Sequence, residues 1–212
     1  MNMIRHSLPD TLLMGYAAGT LPEAFNLLIA AHVSLSEDAR VRLGAFEAVG
    51  GAVLEDEATV AVADDCFDRM MARLEGLPQA NARASMQPDE IFPAPLADYM
   101  ERGLRWQSLG RGVKQAILKT DNAASARLLR IPAGQVMPDH GHKGTELTLV
   151  LQGAFIDGTR RYGRGDVDVA TEETEHTPVA EAGMDCICLA ATDAPLKFHG
   201  LLPRLVQPFF KI

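Results

Sequence analysis

Three histidines and one glutamate in the second half of this chain have the residue types and the spacing of a metal site. His140 and His142 are two positions apart, Glu146 follows four positions later, and His176 lies downstream, in a chain with only six histidines. Alternate side chains of a β-strand point to one face, so both imidazoles can be directed at one point. The even step to Glu146 would bring its carboxylate to the same face. This set suits a divalent ion such as Zn²⁺, Fe²⁺, Mn²⁺ or Ni²⁺.

The residues around these candidate ligands resemble the first cupin motif. Gly134, five residues, His140 and His142, three residues, Glu146, six residues and Gly153 reproduce its spacing. The resemblance implies one divalent ion per chain, with zinc the first choice, held by these ligands together with the downstream histidine.

The elements that must position these ligands are short strands. From about residue 96 the apolar pattern has a period of two, and glycine-containing turns recur between the apolar runs. The pattern predicts strands at 113–118, 126–131, 146–151 and 186–190. A Gly-x-Gly-Asp turn at 163–166 resembles the second cupin motif, with glycine in place of its proline. We therefore expect a cupin jelly-roll β-barrel over residues 96–212.

The first third of the chain has a helical pattern. Apolar periodicity predicts helices over 8–18, 24–32, 36–51 and 64–74, with Thr20 and Glu23 forming a capping box before the second helix. That second helix is apolar almost all round, which is typical of a helix buried in a bundle or against a partner. Residues 76–95 are rich in proline and lack an apolar period, as in a linker. The expected organisation is a helical domain at 1–75, a linker at 76–95 and the barrel.

Composition and charge exclude several classes of function. An apolar content of 47% and a charged content of 23% are those of an ordinary soluble protein, and the sequence contains no apolar run long enough for a membrane span. With three cysteines and no signal-peptide pattern, we expect a cytoplasmic protein. Residues 1–80 carry 12 acidic and 5 basic residues, a net charge of −7, which disfavours nucleic acid as a partner. The acidic charge fits either a basic protein partner or simple solubility.

Nearly the whole chain resembles the ChrR-type zinc-binding anti-sigma factors. The resemblance rests on PDHGHKGTELTLVLQGAF, EHTPVAE, DCICLAATDAPL and LVQPFF in the second half, and on IRHSLPDTLLMGYAAGTL near the start. It implies an N-terminal helical domain that binds an extracytoplasmic-function sigma factor. It also implies a cupin that senses singlet oxygen or organic peroxide. Oligomeric state is left open.

One departure from that family concerns its N-terminal zinc site. The family uses an early histidine followed by His-x-x-x-Cys-x-x-Cys, for which this chain has His6 and His32 but Ser36 and Ala39 in place of the cysteines. A serine hydroxyl is a very weak zinc ligand and alanine is none. The sequence therefore predicts a degenerate site, with no zinc in the helical domain.

Two interpretations of function follow. The first is the anti-sigma factor. The alternative is an enzyme, a metal-dependent cupin dioxygenase or isomerase with a helical appendage, and the metal ligands suit both. The acidic, apolar helical segment favours the regulator. Cys186 and Cys188 would share one face of a strand, either as small buried residues or as a thiol pair near the metal.

Overall fold

The computed structural model describes residues 4–75, 91–101 and 103–198, so most of the predicted linker lies outside the described residues. A helical segment comes first. The helices are α1 (Asp10–Ala17), α2 (Glu23–Leu35), α3 (Glu37–Glu55), α4 (Cys66–Glu75) and, after a 3-10 turn at Ala94–Leu96, the single turn α5 (Ala97–Met100). The four predicted N-terminal helices are all present, with ends that differ by a few residues. No helix in these ranges has both the length and the apolar character needed to cross a bilayer.

Twelve strands follow. They are β1 (Gln107–Gly110), β2 (Val113–Leu118), β3 (Ser125–Ile131), β4 (His140–His142), β5 (Glu146–Gln152), β6 (Ala154–Asp157), β7 (Arg160–Gly163), β8 (Val167–Ala170), β9 (Glu175–His176), β10 (Val179–Ala180), β11 (Cys186–Thr192) and β12 (Leu196–Phe198). They form a six-stranded sheet in the order β1-β2-β3-β11-β5-β8 and two three-stranded sheets, β10-β6-β7 and β12-β4-β9. All pairings are antiparallel, as the expected cupin barrel requires.

The six-stranded sheet is covered on both faces. On β5 and β11 alternate residues belong to two different apolar clusters, because successive side chains point to opposite faces. The inner cluster fills the barrel and contains Val113, Ile131, Val150, Phe155, Tyr162, Ala180, Cys186 and Cys188. The outer cluster contains Leu128, Leu147, Leu149, Leu151 and Leu189 together with residues of α1 and α2. Every residue of β11 is therefore buried.

Helix α2 is the element that covers the outer face. Phe25, Leu28 and Ile29 are at most 5% exposed and belong to the same cluster as the sheet leucines. The prediction that this helix is buried is confirmed, and the surface that buries it is the barrel sheet of the same chain. The capping box is not formed. Proline 22 occupies the N-cap position without a side-chain hydrogen bond, and the Thr20 hydroxyl donates to the Gly15 carbonyl.

The cupin supplies the missing cap. The backbone N–H of Glu23 donates to the Asp121 carboxylate at 3.1 Å, and the N–H of Asp121 donates to the Glu23 carboxylate at 2.6 Å. The Tyr99 hydroxyl donates to the other Glu23 oxygen at 2.6 Å. A carboxylate at a helix N-terminus satisfies an orphan N–H and interacts favourably with the helix dipole. These three bonds fix the start of α2 to the barrel.

The end of α2 and the start of α3 meet at Ser36. Its hydroxyl accepts a hydrogen bond from the Ala39 N–H at 3.1 Å, which confirms the predicted N-cap. Beyond Phe46, however, α3 leaves the core, and all of the described residues from 47 to 75 are exposed. Helix α4 therefore presents its apolar side chains to solvent.

An extended segment before α1 lies along the barrel. The N–H groups of Arg5 and His6 both donate to one Asp166 carboxylate oxygen, at 2.6 and 2.9 Å. The Val167 N–H donates to the His6 carbonyl at 2.9 Å. Residues 5–6 are thus hydrogen-bonded to the 163–167 turn, and we call this contact the N-terminal strap.

Candidate metal centre

The three candidate histidines lie on two neighbouring short strands. His140 and His142 are on β4, and His176 is on β9, where it pairs directly with His140. Alternation along β4 puts both of its imidazoles on one face of the sheet, while the antiparallel register brings the third opposite them. The structure thus brings together three of the four residues that the sequence predicts as ligands.

Their ring nitrogens converge. The His176 Nε2 is 3.1 Å from the Nε2 of His140 and 3.2 Å from that of His142. Nitrogens that each bind an ion at about 2.0–2.1 Å in octahedral or tetrahedral geometry lie roughly 3.0–3.4 Å from each other. The spacing of the three nitrogens therefore matches a shared divalent ion.

The hydrogen bonds made by Nδ1 of His140 and His176 determine which ring nitrogen carries the proton in each of these two residues. The Nδ1 of His140 is 2.8 Å from the Pro138 carbonyl oxygen, and the Nδ1 of His176 is 3.0 Å from an Asp157 carboxylate oxygen. Both oxygens are acceptors, so each Nδ1 carries the proton and each Nε2 keeps its lone pair. Two lone pairs facing each other at 3.1 Å repel unless a cation lies between them. The donor set fits a metal ion.

Burial reinforces this state. His142 is 2% exposed and His140 is 7% exposed. Desolvation lowers the pKa of His140, because the imidazolium is the form that burial disfavours. A neutral imidazole is the form that binds a metal.

The Glu146 carboxylate does not lie where the sequence analysis predicts it. The chain turns at 143–145 between β4 and β5, so His142 and Glu146 are on different strands and the even-step argument does not apply. The nitrogens of the three histidines lie within 4.8 Å of one another, and the Glu146 carboxylate is not part of this group. Glu146 instead begins β5, where its carboxylate accepts a hydrogen bond from the Thr148 hydroxyl at 3.4 Å. Burial raises the pKa of Glu146, while the charges of Arg127 and His176 oppose that increase.

Three residues near the centre have no signal in the sequence motif. Asp157 and Asp168 form a second group with His176, in which all three potential ligand atoms lie within 4.8 Å. Arg127 is a buried cation on β3, near enough to Glu146 for their charges to interact. Only strand register brings these side chains to the site, since they come from β6, β8 and β3.

The two cysteines of β11 share the inner face, as predicted. Both are buried and unbridged, and their sulfur atoms are 3.5 Å apart. A hydrogen bond with Cys186 and burial together raise the pKa of the Cys188 thiol well above its ordinary value. Their burial and the raised pKa of Cys188 favour the interpretation of the pair as small residues of the core over that of a reactive thiolate pair.

His6 and His32, the histidines of the predicted degenerate zinc site, both contact the barrel. The His32 ring is completely buried, with Nδ1 at 3.0 Å from the Gly165 carbonyl and Nε2 at 3.2 Å from the Ser7 hydroxyl. The His6 ring packs on Tyr162, with centroids 4.5 Å apart. Within the described ranges, neither ring belongs to a group of three or more potential ligands. Both rings serve the contact between helices and barrel.

Comparisons with known proteins agree with this architecture. Residues 100–194 match the family model described as the ChrR cupin-like domain. The anti-sigma-E factor ChrR of Cereibacter sphaeroides is 58% identical to the chain over 212 residues, which cover 99% of each protein. A crystal structure of Rhodobacter sphaeroides SigE in complex with the anti-sigma ChrR contains a chain with a TM-score of 0.79 and 53% identity. That match covers 90% of this chain and 100% of the other. On this evidence the chain belongs to the family of ChrR-type anti-sigma factors with a cupin domain.

Proposed function

We propose that this protein is an anti-sigma factor that sequesters an extracytoplasmic-function sigma factor in the cytoplasm. The main support is the whole-chain similarity to ChrR, whose solved structure is a complex with SigE. Both of these relatives are regulators, so the regulator is favoured over the cupin dioxygenase or isomerase.

The exposed helices provide a surface for such a partner. Residues 4–75 contain eleven large apolar side chains that are at least 40% exposed, and most of them lie beyond the part of α3 that packs on the core. They are Met14, Val41, Val49, Val53, Leu54, Val60, Val62, Phe67, Met70, Met71 and Leu74, with Met14 the exception outside α3, α4 and their connection. Exposed apolar surface on this scale marks a protein interface.

Charge on the same segment favours a basic partner. Residues 44–75 carry eight acidic and two basic residues, a net charge of −6. A field of one sign steers an oppositely charged protein and raises its association rate. We place the sigma-binding surface on the end of α3 and on α4.

The cupin is proposed to be the sensor, with a metal held by the Nε2 atoms of His140, His142 and His176. Glu146 would be the fourth ligand after a change of its side-chain conformation, and zinc is the metal we expect. With Glu146 away from the ion, the three histidines would leave a coordination position open to an organic peroxide.

A chain of side-chain contacts connects this centre with the helices. His176 lies beside Asp168, whose carboxylate is hydrogen-bonded to the Tyr162 hydroxyl, and Tyr162 packs on the His6 ring. The N-terminal strap and α2 then hold the helical segment against the barrel. A change at the metal centre would therefore reach the helices through packed side chains.

Transcription in vitro tests the regulatory function. Adding the full chain to RNA polymerase with its sigma factor should stop transcription from the sigma-dependent promoter. Treatment with an organic hydroperoxide or photosensitised singlet oxygen should restore it. Unchanged transcription at a saturating concentration of the chain would contradict the proposal.

Metal analysis tests the centre separately. We expect about one divalent ion per purified full-length chain and a marked loss in the double variant His140→Ala, Glu146→Ala, because removal of two ligands weakens binding. His6→Ala is the matched control and should keep the ion, since its ring packs on Tyr162. Full metal content in the double variant would contradict the assignment.

A further inference from the structure

His140 and His176 differ in the acceptor that holds the outer ring nitrogen. The partner of His140 is a neutral backbone carbonyl, that of Pro138, at 2.8 Å. The partner of His176 is a carboxylate, that of Asp157, at 3.0 Å. A charged acceptor makes the stronger hydrogen bond and increases the basicity of the opposite ring nitrogen. The donor strength of His176 thus depends on a second side chain, that of Asp157.

Two carboxylates lie near that ring, and they are not equivalent. The Asp157 oxygen is within hydrogen-bond distance of Nδ1, whereas the nearest Asp168 oxygen is 4.0 Å away. Asp168 also interacts with the Tyr162 hydroxyl. The Asp157 side chain is 22% exposed and the ring of His176 is 7% exposed, so their bond is largely shielded from water. Asp157 is the carboxylate that orients the ring.

Asp157 is also on a separate structural element. It ends β6 and pairs with Arg160 of β7 in the three-stranded sheet β10-β6-β7, whereas His176 is on β9 in the sheet with β4. The orientation of this ligand therefore depends on the β6–β7 hairpin.

We propose that Asp157 is a positioning residue for the metal centre. By accepting the hydrogen bond from the Nδ1–H of His176, it fixes the tautomer and the plane of the ring, so that Nε2 points at the other two imidazoles. The negative charge strengthens this nitrogen as a donor. The inference rests on the proposed metal centre and assigns its affinity in part to a residue outside the ligand set.

Zinc affinity of the full-length protein tests this role. Dissociation constants would be measured by competition with a chromophoric chelator for the wild type, Asp157→Ala, Asp157→Asn and Asp168→Asn. Loss of an outer-shell partner typically weakens metal binding by 10–100-fold, which we expect for Asp157→Ala. Asp157→Asn keeps an oxygen that can accept the Nδ1 proton but lacks the charge, so an intermediate loss is expected. Asp168→Asn, whose nearest oxygen lies 4.0 Å from the ring nitrogen, should lose clearly less affinity than Asp157→Asn.

Further readouts separate positioning from a general loss of structure. The melting temperatures of the metal-free variants should equal that of the metal-free wild type. The visible spectrum of the Co²⁺-loaded protein should change in Asp157→Ala and recover largely in Asp157→Asn.

The outcomes are distinguishable. Wild-type affinity in Asp157→Ala, or an equal loss in Asp168→Asn, overturns the positioning role while leaving the metal centre intact. Two ions per wild-type chain, with the second lost in Asp157→Ala, would make Asp157 a ligand and also overturn it. A wild type that binds no zinc overturns the metal centre and the inference with it.

Discussion

His32 is a fully buried ring between the helices and the barrel, and burial lowers its pKa. The nearby charge of Arg42 lowers the pKa further, whereas the Gly165 carbonyl, Asp166 and Asp38 oppose the decrease. The ring is therefore neutral in the folded protein at neutral pH. A position that the family uses for zinc here holds two parts of the chain together.

Acid should destabilise the protein through this ring. Above about pH 6.5 the ring is neutral in both states and contributes no pH dependence. As the pH falls below 6.5, the unfolded chain gains a proton that the folded chain does not, so the free energy of unfolding decreases. Each tenfold difference in proton affinity is worth about 1.4 kcal/mol. Denaturant unfolding between pH 7.5 and 5 measures this effect.

His32→Asn is the matched variant, because its amide can donate to the Gly165 carbonyl without titrating. Its free energy of unfolding should fall less steeply below pH 6.5 than that of the wild type. Parallel pH profiles for the two proteins would contradict the assignment of this pH dependence to His32.

The turn between β4 and β5 has no space for a side chain at Gly144. A Cβ atom there would lie 2.2 Å from an Asp193 carboxylate oxygen that also accepts the Thr145 N–H. We expect Gly144→Ala to lower the free energy of unfolding by about 1–3 kcal/mol. Gly44→Ala, in helix α3 with nothing near its Cβ, should raise it by up to about 1 kcal/mol. Equal effects in urea denaturation would contradict the steric argument.

At the scale of elements, the sequence predicts most of the fold. Period-two patterns identify the long strands, and apolar periodicity together with the Ser36 cap identifies the helices. The partner of α2 could not be predicted, because an all-round apolar helix can be buried by a bundle, a sheet or another protein. The cap supplied by Asp121 was also not predictable, since it depends on a contact 98 residues away.

Of the residues at the candidate site, some could be predicted from the sequence and others could not. His140 and His142 follow from alternation along one strand, and His176 from the family spacing. The position of Glu146 does not follow, because the chain leaves the strand at the turn before it. Asp157 has no motif, and only the pairing of strands from distant parts of the chain brings it to His176.

Helix α2 should be energetically part of the barrel. Leu28 is fully buried against the sheet, and Leu28→Ala should lower the free energy of unfolding by about 2–5 kcal/mol. Circular dichroism at 222 nm follows the helices, while Trp106, the only tryptophan, follows the cupin segment. Both probes should shift together to lower denaturant concentration.

Val41→Ala is the control, because Val41 is 70% exposed on α3 and should change stability by less than about 0.5 kcal/mol. Two separate transitions in Leu28→Ala, with the tryptophan signal unchanged, would show that helices and barrel unfold independently.

At the scale of the whole molecule, the chain has two unlike parts. Helices α1 and α2 share a core with the barrel, whereas the end of α3 and all of α4 extend away from it. Phe67, Met70, Met71 and Leu74 have the i, i+3, i+4, i+7 spacing of one helix face, yet all are at least 40% exposed. A folded chain keeps such a face for a partner. Binding of a sigma factor through this face is the central claim.

The dissociation constant of the full-length protein with an extracytoplasmic-function sigma factor tests that claim most directly. Isothermal titration would use the sigma factors of the source organism and, as a further probe, the SigE of the solved complex. We predict that the double variant Phe67→Asp, Met70→Asp binds at least 100-fold more weakly than the wild type, about 2.7 kcal/mol, because it places charge at the centre of the apolar face. Ala72→Asp introduces one negative charge on the opposite face of α4 and should change affinity less than threefold. Wild-type affinity in the double variant, or no binding of any of these sigma factors to the wild type, would contradict the account.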